Sequence, residues 1–245
     1  MRLTSLVFAL GCAAATLYAA EEFQTSAGTV KITPIRHASL MIEAGGKVIH
    51  LDPWSGGTQA QGTQDKYAAL PKADLLLITD IHPDHMDTTA IDWVKKPATK
   101  IIAPFVVTSS LKTGDTIKNG ETRHWGPFTI EAVPMYNLKR GPQPGTFYHD
   151  RGRGNGYVIT YGGKRFYFSG DTEAVPEMKA LKNIDVAFVC MNLPYTMPPE
   201  EAAEGVKAFA PKIVYPYHYR GSDLKVFEAA LKGQPIEVRI LDWYK

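Results

Sequence analysis

Asp80, His82, Asp84 and His85 place two imidazoles and two carboxylates within six consecutive positions. They follow the apolar run Leu75–Ile78, which reads as a buried strand. A segment just past such a strand sits where a rigid sheet can aim side chains at one point. Four side chains of metal-ligand type this close would repel or desolvate badly without a cation to share. The chemistry they suit is activation of water by a divalent ion. A polar loop that happens to hold two histidines is the plain alternative. Against it, further candidate ligands recur downstream after apolar strands: Asp171, following Ser169-Gly170, and His218, following Val214–Tyr217. Gly170 permits the tight turn that exposes Asp171.

The elements that must position these residues come in duplicate. Ser39–Asp52 reads as two strands joined by Gly45-Gly46, and Gly156–Asp171 as two strands joined by Gly162-Gly163. Each hairpin ends in an aspartate. Leu75–Ile78 is matched by Val186–Val189, and Lys100–Phe105 by Lys212–Tyr217. Between these blocks the spacing predicts helices. Asp87 caps Thr88–Lys96, which stops before Pro97, and Pro198-Pro199 opens a helix to Phe209. Asp223 caps a third, Leu224–Leu231, closed by Gly233. Hairpins plus strand–helix–strand units, twice over, imply two sheets packed face to face with helices outside. Ligands at strand ends in both halves then meet at one edge.

The chain has 245 residues, 44% hydrophobic, with a formal net charge of +2, which suits one large domain or two fused small ones. So small a net charge argues against a dedicated nucleic-acid binder. Residues 1–20 carry Arg2 as their one charge, with an apolar stretch from Leu6 to Leu17 and Tyr18-Ala19-Ala20 ahead of Glu21-Glu22. This reads as an export signal cleaved near Ala19 or Ala20, too short to remain as a transmembrane span. The expected location is therefore periplasmic or secreted. Ala9-Leu10-Gly11-Cys12 is a poor lipoprotein box, so anchoring at Cys12 is not expected. Mature residues 21–245 keep one cysteine, Cys190, expected in the core.

The ligand segment, the duplicated hairpins and the two later ligands together resemble the metallo-β-lactamase superfamily, over essentially the whole mature chain. The resemblance implies an α/β fold, an αββα four-layer sandwich of two pseudo-symmetric halves. It also implies a metal-dependent hydrolase acting on a small-molecule substrate. That superfamily carries His-x-His-x-Asp-His, and here Asp80 stands where the first histidine would be. Asp171 matches the bridging aspartate and His218 the last histidine. Arg36-His37-Ala38-Ser39 and Leu51-Asp52-Pro53 resemble the ascorbate-phosphate lactonase branch and, more distantly, N-acyl phosphatidylethanolamine phospholipase D. The remaining family histidine falls on Asn137, and His149, twelve residues on, is the alternative.

The implied metal set is Asp80, His82, Asp84, His85, Asp171 and His218, with Asn137, His149 and His37 as further candidates. Asp80 can bind metal directly or hold a ligand's imidazole; direct ligation is the expectation. Asp84 and Asp171 are the expected catalytic pair, Asp84 orienting a water activated by one or two divalent ions. Carboxylate at 80 and amide at 137 harden one half-site. Zinc and manganese are the leading candidates, with iron or magnesium as alternatives. His50 and His124 read as structural or surface residues. Arg151–Gly156 reads as a flexible lead-in to the second hairpin, with an anion cradle as the alternative. Tyr195, Tyr217 and Tyr219 read as packing or substrate walls. The bond expected to be cleaved is an ester, lactone or phosphodiester. Rival readings are a nuclease or phosphodiesterase on the same scaffold, or a degenerate member that binds metal or ligand without turnover.

Overall fold

Leu75, Leu76 and Leu77 are all fully buried, yet they face two different cores. In the computed structural model, which describes residues 20–244, Leu75 and Leu77 join the core between two sheets. Leu76 joins a smaller core under the outer helices. The same period of two sends Leu40 and Ile42 inward and Met41 outward. Burying one such side chain contributes about 1.5–3 kcal/mol, so the strand that precedes the ligand loop is firmly seated.

The first sheet runs, in spatial order, β1 (Glu21–Thr25), β2 (Gly28–Arg36), β3 (Ser39–Ala44), β4 (Lys47–Leu51), β5 (Leu75–Leu77), β6 (Lys100–Ala103) and β7 (Asp115–Thr116). β1 to β4 pair antiparallel, and β4 to β7 pair parallel. The second sheet repeats this order with β8 (Thr122–Trp125), β9 (Phe128–Met135), β10 (Gly154–Tyr161), β11 (Lys164–Phe168), β12 (Val186–Cys190), β13 (Ile213–Tyr217) and β14 (Glu237–Val238). β8 to β11 pair antiparallel and β11 to β14 parallel. Gly45 and Gly46 have φ of 56° and 69°, and Gly162 and Gly163 have 52° and 79°. Positive φ at both turn residues matches the right-handed twist of the flanking strands.

Helices α1 (Ala60–Ala68), α2 (Thr88–Val94) and α3 (Phe105–Leu111) cover the first sheet through Tyr67, Ile91, Val94 and Val107. Helices α4 (Pro176–Lys179), α5 (Pro199–Phe209) and α6 (Leu224–Leu231) cover the second through Met178, Val206, Phe209, Phe227 and Leu231. The layers are therefore helix, sheet, sheet, helix, as the duplicated pattern implies. Asp87 caps α2, accepting from the backbone N–H of Thr89 at 2.9 Å, and Asp223 caps α6 through Lys225 at 3.0 Å. α2 ends two residues before the expected Lys96, where Lys95 is already extended ahead of Pro97. Helices α1, α3 and α4 are not among the expected helices, although α4 also opens on a proline, Pro176.

The sheets are tied together beside the ligand loop. Tyr157 Oη donates to the Ile78 carbonyl at 2.8 Å, and Asn155 N–H donates to the Thr79 carbonyl at 2.9 Å. His218 N–H donates to the His37 carbonyl at 3.1 Å. Most of the expected export segment, residues 1–19 including Cys12, lies outside the described residues. Among the described residues no helix is long and apolar enough to cross a membrane.

Candidate metal centre

Every expected ligand lies at one edge of the sandwich. Asp80, His82, Asp84 and His85 occupy the loop from β5 to α2, Asp171 follows β11, and His218 follows β13. His37 lies in the β2–β3 turn and His149 in the β9–β10 connection. The backbone is forced at this edge: His37, Asp52 and His218 have φ of 57°, 44° and 48°. Such values are uncommon for residues with a Cβ and cluster where function over-determines conformation.

Four side chains converge, and among them only His218 and Asp84 are within hydrogen-bonding geometry. His85 Nε2 lies 3.3 Å from Asp171 Oδ2 and 3.9 Å from Asp84 Oδ1. His218 Nε2 lies 3.4 Å from Asp171 Oδ1 and 3.3 Å from Asp84 Oδ2. Ligands of a tetrahedral ion with bonds of about 2.0–2.1 Å stand about 3.3–3.4 Å apart. His85 Nε2, His149 Nε2 and Asp171 Oδ1 are buried and make no hydrogen bond. Buried polar atoms without partners are rare, and His85 Nε2 and Asp171 Oδ1, which cluster with His218, fit a cation between them.

The electrostatics agree. Burial opposes charging His85, but the carboxylates of Asp171, Asp52 and Asp84 prevail and push its pKa well above the usual histidine value. Burial likewise opposes ionising Asp171, yet the imidazoles of His218, His85 and His149 hold it well below the usual carboxylate range. A field that favours a proton on His85 also favours a divalent cation at the same place.

Partners behind the ligands fix which ring nitrogen faces the centre. His85 Nδ1 donates to Asp52 Oδ2 at 2.8 Å, which leaves Nε2 facing inward. Asp52 also accepts from Thr79 N at 2.7 Å and Thr79 Oγ1 at 2.5 Å. His149 Nδ1 donates to Asn137 Oδ1 at 2.8 Å, so its Nε2 turns to Asp171, 3.3 Å from Oδ2. Asn137 therefore holds His149 rather than facing the centre itself. Its amide nitrogen donates to the fully buried Glu173, at 3.1 Å, and to the Tyr195 carbonyl, at 2.9 Å. His37 is held neutral, since burial and neighbouring His218 push its pKa down to about 3. Its Nε2 donates to Asp84 at 3.2 Å and its Nδ1 accepts from Tyr244 Oη at 2.8 Å.

Asp80, His82 and His149 form the other half, their ligand atoms all within 4.8 Å of one another. Arg153 forks Asp80, with Nε 3.2 Å from Oδ1 and Nη2 2.9 Å from Oδ2. Burial would raise the Asp80 pKa, but the hydrogen bond from His82 and the charges of His82 and Arg153 lower it to about 2. The Arg151–Gly156 lead-in is thus ordered: Arg151 pairs with Glu177 at 2.7 Å and Arg153 with Asp80. Cys190 is buried outside the centre, its thiol pushed up to about 12 by burial. His50 is buried against the Pro71 carbonyl at 2.9 Å, and His124 lies exposed on β8.

A cleft of about 330 Å³ opens onto the centre, lined by His82, Asp84, His149, Asp171 and His218 with Tyr148, Asn192 and Tyr195. A larger hollow of about 580 Å³, between Trp54, Arg220 and Tyr244, contains none of the clustered ligands. Three residues here escaped the sequence reading as site residues: Asp52, Arg153 and Tyr244. Asp52 carried a signal, because it ends the first hairpin as Asp171 ends the second, and Arg153 lies in the segment whose alternative reading was an anion cradle.

Residues 31–218 match the family described as the beta-lactamase superfamily domain. A UPF0173 metal-dependent hydrolase of Thermococcus kodakarensis is 31% identical over 223 residues, covering 86% of this chain and 96% of that protein. A crystal structure from Parabacteroides distasonis, provisionally assigned as a metal-dependent hydrolase, superposes with a TM-score of 0.85 at 43% identity. It covers 93% of this chain and 100% of its own. Igni18, a metallo hydrolase of Ignicoccus hospitalis, shares the fold with a TM-score of 0.74 at 24% identity, over 88% of this chain and 96% of its own. The matched residues span both halves of the sandwich and every clustered ligand from His37 to His218, and on that ground the chain belongs to the beta-lactamase superfamily and is one of its metal-dependent hydrolases.

Proposed function

We propose that this chain is an exported hydrolase of small esters, lactones or phosphodiesters, with its working ion held by Asp84, His85, Asp171 and His218. The spacing of the donors carries the reading. His85 and His218 stand 3.3 and 3.4 Å from Asp171, and His218 stands 3.3 Å from Asp84, as ligands of a tetrahedral ion of the zinc type do. His85 and Asp84 are wider apart, at 3.9 Å. Two imidazoles and two carboxylates also suit manganese. When bound, such an ion acidifies a water from a pKa of about 16 to near neutrality and polarises the oxygen that gains charge.

The protein's own residues do the rest. Asp84 is held by His37 on one side and faces the cleft on the other, so it can orient the attacking water. Asp52 and Asn137 keep His85 and His149 in the tautomers that present a lone pair. Tyr148 and Tyr195, edge-to-face at 5.0 Å, wall the cleft. A cleft of about 330 Å³ suits a small molecule better than a polymer.

Purified protein stripped by chelator should lose turnover of an aryl ester, lactone and phosphodiester panel. Zinc or manganese should restore it on at least one member. Metal-independent turnover, or none across the panel with metal loaded, would remove the hydrolytic reading. Export is expected to leave a mature N-terminus between Ala19 and Phe23, because the apolar stretch ends there and two glutamates follow. Intact-mass measurement of the exported protein decides this. A mass that retains residues 1–18, or a diacylglycerol on Cys12, would contradict it.

A further inference from the structure

We propose that the Asp80–His82–His149 half of the centre takes no metal ion, and that the Arg153 guanidinium supplies the positive charge there. The protein would then work with one divalent cation and one fixed organic cation. The inference rests on the reading above, in which Asp84, His85, Asp171 and His218 hold the working ion.

Three observations carry it. First, both oxygens of Asp80 are engaged by the planar fork of Arg153, at 3.2 and 2.9 Å. A bidentate guanidinium–carboxylate pair is among the strongest side-chain contacts, and this carboxylate is fully buried. Second, His82 has no free lone pair. Its Nδ1 lies 2.9 Å from Asp80 Oδ2 and so carries the proton, while its Nε2 accepts from Arg153 Nη2 at 3.4 Å. Third, the remaining donor, His149 Nε2, already lies 3.3 Å from Asp171 Oδ2. It therefore borders the working ion's half as closely as its own.

Charge explains why the arrangement is self-consistent. A histidine at position 80 would be neutral and would need a metal to be of use. A buried aspartate there needs a cation whether or not metal is present, and Arg153 provides one from the β9–β10 connection. A divalent ion added between His82 and His149 would have to share Asp80 and His82 with a guanidinium already at bonding range. Like-charge repulsion in so buried a place is severe. The guanidinium cannot yield by deprotonation, because it stays charged at any physiological pH.

Counting ions tests this without reference to activity. Metal-free protein is saturated with zinc, desalted and measured by plasma mass spectrometry, with circular dichroism reporting the fold. Wild type should hold one equivalent. Arg153→Ala should hold two, since Asp80 is left without a countercharge and His82 Nε2 is released. The double variant Asp80→His/Arg153→Ala removes the unpaired carboxylate and should also hold two; it decides alone if Arg153→Ala does not fold. Two equivalents on wild type would overturn the proposal, as would one equivalent on a folded double variant. No ion on wild type would instead overturn the assignment of the working site, and the proposal with it.

Discussion

Asp171→Ala is expected to leave the protein folded and unable to hold its metal ion. Asp171 is the residue on which the cluster closes: His85 and His149 approach its Oδ2 at 3.3 Å, and His218 approaches its Oδ1 at 3.4 Å. Changing residues that merely orient ligands lowers metal affinity about 10- to 100-fold, and loss of a charged ligand should exceed that. Hydrolysis should fall about a hundred- to a thousandfold or more, on the order of what removing one electrostatic stabiliser costs. The fold should survive, because Asp171 Oδ1 makes no hydrogen bond and the turn is shaped by Gly170 at φ 60°. Bound metal supplies the clearest contrast. Wild type should gain about 4 kcal/mol of stability at a thousandfold excess of metal over its Kd, seen as a rise in Tm. The variant should gain almost nothing. His218→Ala should behave alike, and near-wild-type metal content in either would show that the working ion lies elsewhere.

The fold was legible because continuous apolar runs and an internal repeat agreed. A run such as Leu75–Ile78 is what a strand buried on both faces must show, and the same blocks recur in order in the second half. Local signals also placed the caps at Asp87 and Asp223 within the sequence. Helix α1 was not legible, because Ala60–Ala68 is mostly polar and buries only Thr63 and Tyr67. Its position is set by packing of Tyr67 under the first sheet, which no local pattern encodes.

The candidate site divides along the same line. Residues directly after strands were visible, since strand register fixes where they point. Of the residues delivered by the long β9–β10 connection, Asn137 and His149 were visible only as alternatives. The choice between Asn137 and His149 could not be made from spacing, because it depends on Glu173 anchoring Asn137 from another part of the chain. Arg153 looked like part of a glycine-rich lead-in. Its partner Asp80 lies 73 residues away, and only the packed sheets bring them together.

Asp52 separates holding the metal from holding the fold, and Asp52→Ala should damage both. Its carboxylate is fully buried and accepts from Thr79 N–H at 2.7 Å, Thr79 Oγ1 at 2.5 Å and His85 Nδ1 at 2.8 Å. Removing it leaves the Thr79 N–H and the His85 Nδ1–H buried without partners. Each such loss costs about 1–3 kcal/mol, and breaking a buried charged contact costs about 3–5 kcal/mol in all. That is a large part of a total near 5–15 kcal/mol. Metal affinity should fall about 10- to 100-fold as well, because nothing then fixes the proton on His85 Nδ1 or keeps Nε2 aimed inward. Backbone strain adds to the alanine result, since residue 52 sits at φ 44°. Asp52→Gly relieves that strain and should recover part of the stability, about 0.5–1 kcal/mol, while leaving the metal defect unchanged. Chemical denaturation and zinc titration on the two variants therefore read different contributions. If Asp52→Gly bound metal like wild type, His85 would be oriented by Thr79 Oγ1, 3.1 Å from its Nδ1, and not by the carboxylate.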